Sequence, residues 1–295
     1  MNLYFILRKL CVSAPTLVES ISCLRNNVLS RKTIPQFHET PTIWPGNTFI
    51  ESNKPKNFGK NRYRDVLPYD STRVVLISRN AKSSEGDYIN SNHCLTLLNT
   101  DKSLQRALDP ETIDDSPIPR LETLCSTNEE HRTCLKYIAS QGPKSNTAGD
   151  FWSMISQQKI NFIVMLTQLQ DNGREKCFHY WPTYVNETVS FPHSNGSNSD
   201  INIKMVNERY VSSSSDPDVC IYAVREFEVI SNVDKREQSI RKVKQVQYYA
   251  WPDHGVPNDC DDFLDFAEFV HEQREVLEDR DTLTLGHRPI CVHCR

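Results

Sequence analysis

Asp150-Phe151-Trp152-Ser153-Met154-Ile155, followed by Asn161-Phe162-Ile163-Val164-Met165-Leu166-Thr167-Gln168-Leu169, decides the fold class. The first segment sets aromatic and aliphatic residues at helical spacing behind an acid suited to capping, so it predicts a short helix begun by Asp150. The second is a continuous apolar run without alternation, the pattern of a strand covered on both faces. A helix feeding such a strand predicts the interior of a sheet with helices on either side.

The flanking sequence extends that sheet. Thr72 to Ser78 reads as a strand through Val74, Val75, Leu76 and Ile77, and Asp87 to Asn90 opens another. Ile201, Ile203 and Met205 alternate with polar partners, while Val219 to Ile230 and Val243 to Tyr249 are rich in strand formers. Asp262 to Leu277 returns to helical period on Phe263, Phe266, Ala267, Val270 and Leu277, and Pro289 to Cys294 reads as a short apolar strand. Strands and helices mix without a strict βαβ repeat. The expected fold is therefore α/β or α+β, a large mixed twisted sheet flanked by helices. Residues 1–57, rich in Ser, Thr, Asn and Pro, read as an extension or linker, and 58–295 as the folded domain. The polar stretch from about 94 to 134, with Asp114, Asp115, Pro117 and Pro119, is expected to be a surface insertion offering a site to a protein partner.

Composition narrows the class. In 295 residues, 38% are hydrophobic and 24% charged, with a net charge of −4. The pI is near 6.2 and the mean hydropathy is −0.56. That balance excludes a disordered or fibrous chain and gives no basic field for nucleic acid. The longest apolar stretch, around Phe162 to Leu166, is far short of the roughly 20 residues that span a bilayer. Leu3 to Leu7 is broken at once by Arg8 and Lys9, too early for a secretory core of about 7 to 15 residues. The ten cysteines are scattered singly, as expected of reduced thiols in a cytosolic setting.

Three segments could carry chemistry. Trp251-Pro252-Asp253-His254-Gly255-Val256-Pro257 holds a carboxylate between prolines and a glycine after a strand. It is either an ordinary turn or a loop that swings a general acid over a substrate. Cys291-Val292-His293-Cys294 sets a cysteine next to a histidine, compatible with core packing, with a nucleophilic thiol or, least well, with a metal site. Lys60-Asn61-Arg62-Tyr63-Arg64-Asp65-Val66-Leu67-Pro68-Tyr69-Asp70 places an aromatic among basic residues with an acid two positions on. It is either a solvated loop or a platform that stacks a substrate ring and holds a peptide backbone.

Together these segments resemble the tyrosine-specific protein phosphatases, the cysteine-dependent enzymes that hydrolyse phosphotyrosine in proteins. Lys60 to Asp70 matches the family's phosphotyrosine-recognition loop and Asp87-Tyr88-Ile89-Asn90 its next signature. Tyr137-Ile138-Ala139-Ser140-Gln141-Gly142-Pro143, Asn146-Thr147, Asp150-Phe151-Trp152, Val164-Met165-Leu166 and Lys176-Cys177 with Tyr180-Trp181-Pro182 follow in order. Trp251 to Pro257 matches the mobile acid loop, and Val292-His293-Cys294 the start of the phosphate loop. Lys60 to Val74 and Tyr248 to Phe266 look most like the cytoplasmic members that carry membrane-skeleton-binding and PDZ modules, which implies a cytoplasmic place at the membrane-cytoskeleton interface.

The resemblance implies roles. Cys294 is similar to the nucleophile that becomes phosphocysteine, His293 to the neighbour that holds it as thiolate, and Asp253 to the general acid. Tyr63 resembles the wall of the phosphotyrosine cleft and Asp65 the acid that binds the substrate backbone, with Arg62 beside them in the substrate-binding set. Trp251, Pro252 and Lys176 support the acid loop, and Asp171 stands where the family has a glutamate bracing the phosphate-loop arginine. No cofactor or metal is implied, and the implied partners are phosphotyrosine proteins. The family's phosphate loop reads His-Cys, five residues, then Arg, a ring of backbone N–H groups and a bidentate guanidinium around the phosphoryl group. Only Arg295 follows Cys294 here. The chain as given is therefore expected to be a catalytically incomplete fragment of a phosphatase with one sheet face partly uncovered. The alternative is an inactive phosphatase-like interaction protein.

Overall fold

The computed structural model describes residues 47–77, 86–97, 134–193, 201–213, 216–234, 237–251, 260–280 and 288–295. Among them a single sheet runs β1-β2-β3-β11-β4-β10-β9-β8-β7. Its strands are β1 (Arg73–Val75), β2 (Tyr88–Leu97), β3 (Cys134–Ser140), β4 (Phe162–Met165), β7 (Thr188–Val189), β8 (Ile201–Ser212), β9 (Cys220–Asp234), β10 (Glu237–Tyr248) and β11 (Ile290–His293). Its centre is parallel, with β11 between β3 and β4, and β10 on the other side of β4. The remaining pairings are antiparallel. A small hairpin, β5 (Gln170–Asp171) with β6 (Arg174–Glu175), stands apart. The helices are α1 (Pro55–Phe58), α2 (Ala148–Gln157) and α3 (Cys260–Arg280). This is the mixed α/β sheet that the sequence predicts.

Strand periodicity divides the core into two layers. Ile163 and Met165 of β4, Cys291 of β11 and Val243 of β10 face α2, where Phe151, Trp152, Met154 and Ile155 close over them. Phe162 and Val164, Ile290 and Val292, and Val246 and Tyr248 face α3 through Phe266, Ala267 and Val270. All four residues of β4 and all four of β11 are buried, so both faces of the central strands are covered. The expected uncovered face does not occur there, because α3 lies over it. Trp152 is anchored further by its indole N–H, which donates to the Tyr180 carbonyl at 2.7 Å.

Several boundaries differ from expectation. Thr147 occupies the cap position of α2, and its hydroxyl accepts the Lys144 N–H at 3.0 Å. Asp150 is not the cap. It lies in the first turn, where its carboxylate favours the positive helix end, and it accepts from His193 Nδ1 at 3.1 Å with Lys60 Nζ 3.6 Å away. β2 runs on to Leu97 and β3 starts at Cys134, so the first residues of the expected insertion, Cys94 to Leu97, and its last, Cys134, belong to the ladder. Residues 98–133 lie outside the described residues, as do 1–46. Asp70 accepts the Thr48 hydroxyl and the Ile50 N–H, both at 2.6 Å, and the Glu51 N–H at 3.0 Å. These bonds tie residues 48–51 to the loop that ends at Asp70.

Candidate active site

Parallel strands end on the same side of a sheet, and the loops leaving their carboxyl ends form a natural crevice. Here that edge collects Gln141-Gly142-Pro143 after β3, Cys294 after β11, Leu166-Thr167 after β4 and Tyr249 to Trp251 after β10. β11 hands the chain to Cys294 while the His293 carbonyl accepts the Leu166 N–H at 2.9 Å. The half-buried Cys294 thiol donates to the Leu166 carbonyl at 3.5 Å, and burial pushes its pKa up. Gly142 is packed against it: a Cβ on Gly142 would lie 2.6 Å from the Cys294 carbonyl oxygen and 3.2 Å from Cys177 Sγ.

His293 is fully buried between Phe151 and Tyr180. Its Nδ1 is 3.1 Å from the Cys294 carbonyl oxygen and its Nε2 2.7 Å from the Tyr180 hydroxyl. Burial lowers its pKa to about 4, so the ring is neutral near pH 7. A neutral imidazole bonded to the main chain of Cys294 acts on its geometry and supplies no positive charge to a thiolate.

The 60–65 segment is tied to the same edge. Gln141 Nε2 donates to the Lys60 carbonyl at 2.7 Å, and Gln141 Oε1 accepts the Arg62 N–H at 2.9 Å. The Arg62 guanidinium donates to the carbonyls of Pro143 at 2.8 Å, Gly142 at 3.4 Å and Glu175 at 3.4 Å, and lies 3.5 Å from the Glu175 carboxylate. Arg62, expected among the substrate-binding residues, therefore turns its donors into the scaffold and clasps three loops. Tyr63 and Asp65 next to it are exposed.

The supporting residues divide. Lys176 is half-buried and bonds through its N–H to the Leu169 carbonyl at 2.8 Å. Asp171 sits in the β5–β6 hairpin opposite Arg174. Trp251 is buried with its ring edge-on to Phe263 at 5.2 Å. Pro252 and Asp253 lie outside the described residues. Among the described residues no group of His, Cys, Asp and Glu is arranged to hold a metal ion, and no helix is long and apolar enough to cross a membrane.

Gly142, Tyr180, Gln245 and Arg225 carry the geometry around Cys294 but received no role from the sequence. Tyr180 was visible only as part of the Tyr180-Trp181-Pro182 motif.

A mixed sheet whose parallel centre delivers a cysteine to the crevice side defines an α/β protein with a candidate thiol site. Residues 57–295 match the family described as Protein-tyrosine phosphatase, and the chain belongs to that family. It is 34% identical over 278 residues to Tyrosine-protein phosphatase 1 of Caenorhabditis elegans, covering 94% of this chain and 21% of that protein. With Tyrosine-protein phosphatase non-receptor type 4 of Mus musculus it shares 33% identity over 279 residues, 95% of this chain and 23% of the relative. With Receptor-type tyrosine-protein phosphatase C of Homo sapiens it shares 31% over 264 residues, 90% of this chain and 16% of the relative. The chain thus spans less than a quarter of the length of these relatives.

Proposed function

We propose that the protein containing this chain hydrolyses phosphotyrosine in proteins through a phosphocysteine on Cys294. The observation that carries this is the position of Cys294 at the carboxyl end of β11, with the Tyr63 segment clasped to the same sheet edge through Arg62 and Gln141. In the first step the Cys294 thiolate attacks phosphorus, the bond from phosphorus to the tyrosyl oxygen breaks, and Asp253 protonates that oxygen. In the second, water attacks phosphorus, the S–P bond breaks, and the Asp253 carboxylate takes the proton as phosphate leaves. Tyr63 walls the cleft and Asp65 accepts from the substrate backbone. Arg62 and His293 act as positioning residues, while Trp251, Pro252, Lys176 and Asp171 support the loops. The domain runs from about residue 58, and the polar insertion at about 94 to 134 is the candidate site for a protein partner. The non-receptor name of a relative and the resemblance of Lys60 to Val74 support a cytoplasmic place near the membrane cytoskeleton.

Hydrolysis of a phosphotyrosine peptide by the complete gene product tests this reading. Cys294→Ser abolishes turnover, and Asp253→Ala slows it while still capturing substrate. Full activity in either variant overturns the assignment. A complete product with no Cys294-dependent turnover has its role in binding.

A further inference from the structure

Arg225 is a charged residue inside the sheet, 3% exposed, on the α2 side of β9. Its Nε donates to Glu208 Oε1 at 2.6 Å, and its Nη1 to Gln245 Oε1 at 3.0 Å and Gln247 Oε1 at 2.8 Å. Its Nη2 donates to the Tyr249 hydroxyl at 2.9 Å, and the guanidinium lies 4.6 Å from the centre of the Trp181 ring. A guanidinium has donors and no acceptor, so every group facing it must present an acceptor. That fixes the amides of both glutamines.

The consequence reaches Cys294 in three steps. With Gln245 Oε1 held by Arg225, Gln245 Nε2 donates to the Tyr180 hydroxyl at 2.6 Å. The Tyr180 hydroxyl proton then goes to His293 Nε2 at 2.7 Å, which must carry the lone pair. The ring proton is left on Nδ1, where it donates to the Cys294 carbonyl at 3.1 Å. A second branch ends beside the same cysteine: Gln247 Nε2 donates to the Thr167 carbonyl at 3.0 Å, next to the Leu166 carbonyl that accepts the Cys294 thiol.

We propose that Arg225 is a positioning residue that, through Gln245 and Tyr180, holds His293 as the neutral Nδ1–H tautomer and so fixes the main chain at Cys294. This deepens the phosphatase reading and rests on it for its catalytic meaning. The alternative directions fail on hydrogen-bond polarity. An Nε2–H ring, with Gln245 Nε2 also donating, would leave the Tyr180 hydroxyl proton without an acceptor among the described contacts, and would leave the Cys294 carbonyl facing a lone pair.

The test reads the ring directly, without substrate. In the 295-residue chain, nitrogen-15 NMR of labelled histidines, with the His293 signals identified by their loss in His293→Asn, is expected to show a proton on Nδ1. Gln245→Glu keeps a partner for Arg225 but replaces the donor to Tyr180 with an acceptor. The Tyr180 hydroxyl then turns to the introduced carboxylate, and the His293 proton moves to Nε2. In the charge-balanced double variant Arg225→Met with Glu208→Gln, Gln245 is free to turn over, and a mixture of the two tautomers is expected. Either result in a folded variant supports the chain of polarity. An Nε2–H ring in the native protein, or an unchanged Nδ1–H ring in both variants, overturns it. Should Gln245→Glu not fold, the double variant decides alone. Because turnover is not read, failure here leaves the phosphatase assignment standing, and loss of that assignment leaves the tautomer result intact. In the complete gene product, Gln245→Glu is expected to lower kcat and spare KM when turnover is counted per folded, active-site-titrated molecule, a normalisation that removes the effect of general destabilisation.

Discussion

Gly142 stands so close to Cys294 that a single added carbon would fall 2.6 Å from the Cys294 carbonyl oxygen. Backbone cannot yield as a long side chain can, and Cys177 Sγ blocks the other direction at 3.2 Å. Gly142→Ala is therefore expected to lower stability by about 1 to 3 kcal/mol, the usual cost of overpacking. Denaturant midpoints check this. An unchanged midpoint would mean that the two loops separate freely.

His293 makes stability depend on pH in a defined window. Its pKa falls from 6.5 to about 4 on burial, so the unfolded chain binds the proton first as pH drops. Stability is therefore lost progressively between pH 6.5 and about 4, on the order of 3 kcal/mol in full. Unfolding free energies measured across this range should show a shallower slope in His293→Asn. Equal slopes would assign the loss to other groups.

Arg62 joins the 60–65 segment to Pro143 and Glu175. Arg62→Met keeps the apolar stem and removes every donor, so the expected outcome is faster proteolytic cleavage near Tyr63 and a stability loss of about 1 to 3 kcal/mol from the unpaired carbonyls. Cleavage at the wild-type rate would show that Gln141 alone holds the segment.

Cys177 and Cys291 are buried thiols whose pKa values burial drives far above the ordinary range. Alkylation of the native chain near pH 8, followed by mass spectrometry, is expected to spare both and to modify them only after denaturation. Rapid labelling of Cys291 would contradict the covered state of β11.

The central strands were legible because burial on both faces removes alternation: Phe162 to Met165 is apolar throughout for that reason. Asp150 misled as a cap because its partners, Lys60 and His193, are distant in sequence while Thr147 lies only three residues before it. Arg62 reads from the sequence as a member of the substrate-binding set beside Tyr63 and Asp65, and nothing local announces that carbonyls at 142, 143 and 175 converge on it. Arg225 sits in Val224-Arg225-Glu226-Phe227-Glu228, where charge on a strand ordinarily means solvent. Only the assembled sheet, with Trp181 stacked over the guanidinium, gives it an interior place.

β11 has a consequence for how the molecule assembles. It bridges two ladders, β1-β2-β3 and β4-β10-β9-β8-β7, which share no other strand. Each ladder can zip largely through its own antiparallel neighbours, but β11 must find β3 and β4 across long stretches of sequence, a slow event set by loop closure. Its amides therefore exchange with solvent only when the two halves part. Cys294 is seated by the same docking, so a molecule that has built either ladder alone does not yet present its thiol between Gly142 and Leu166.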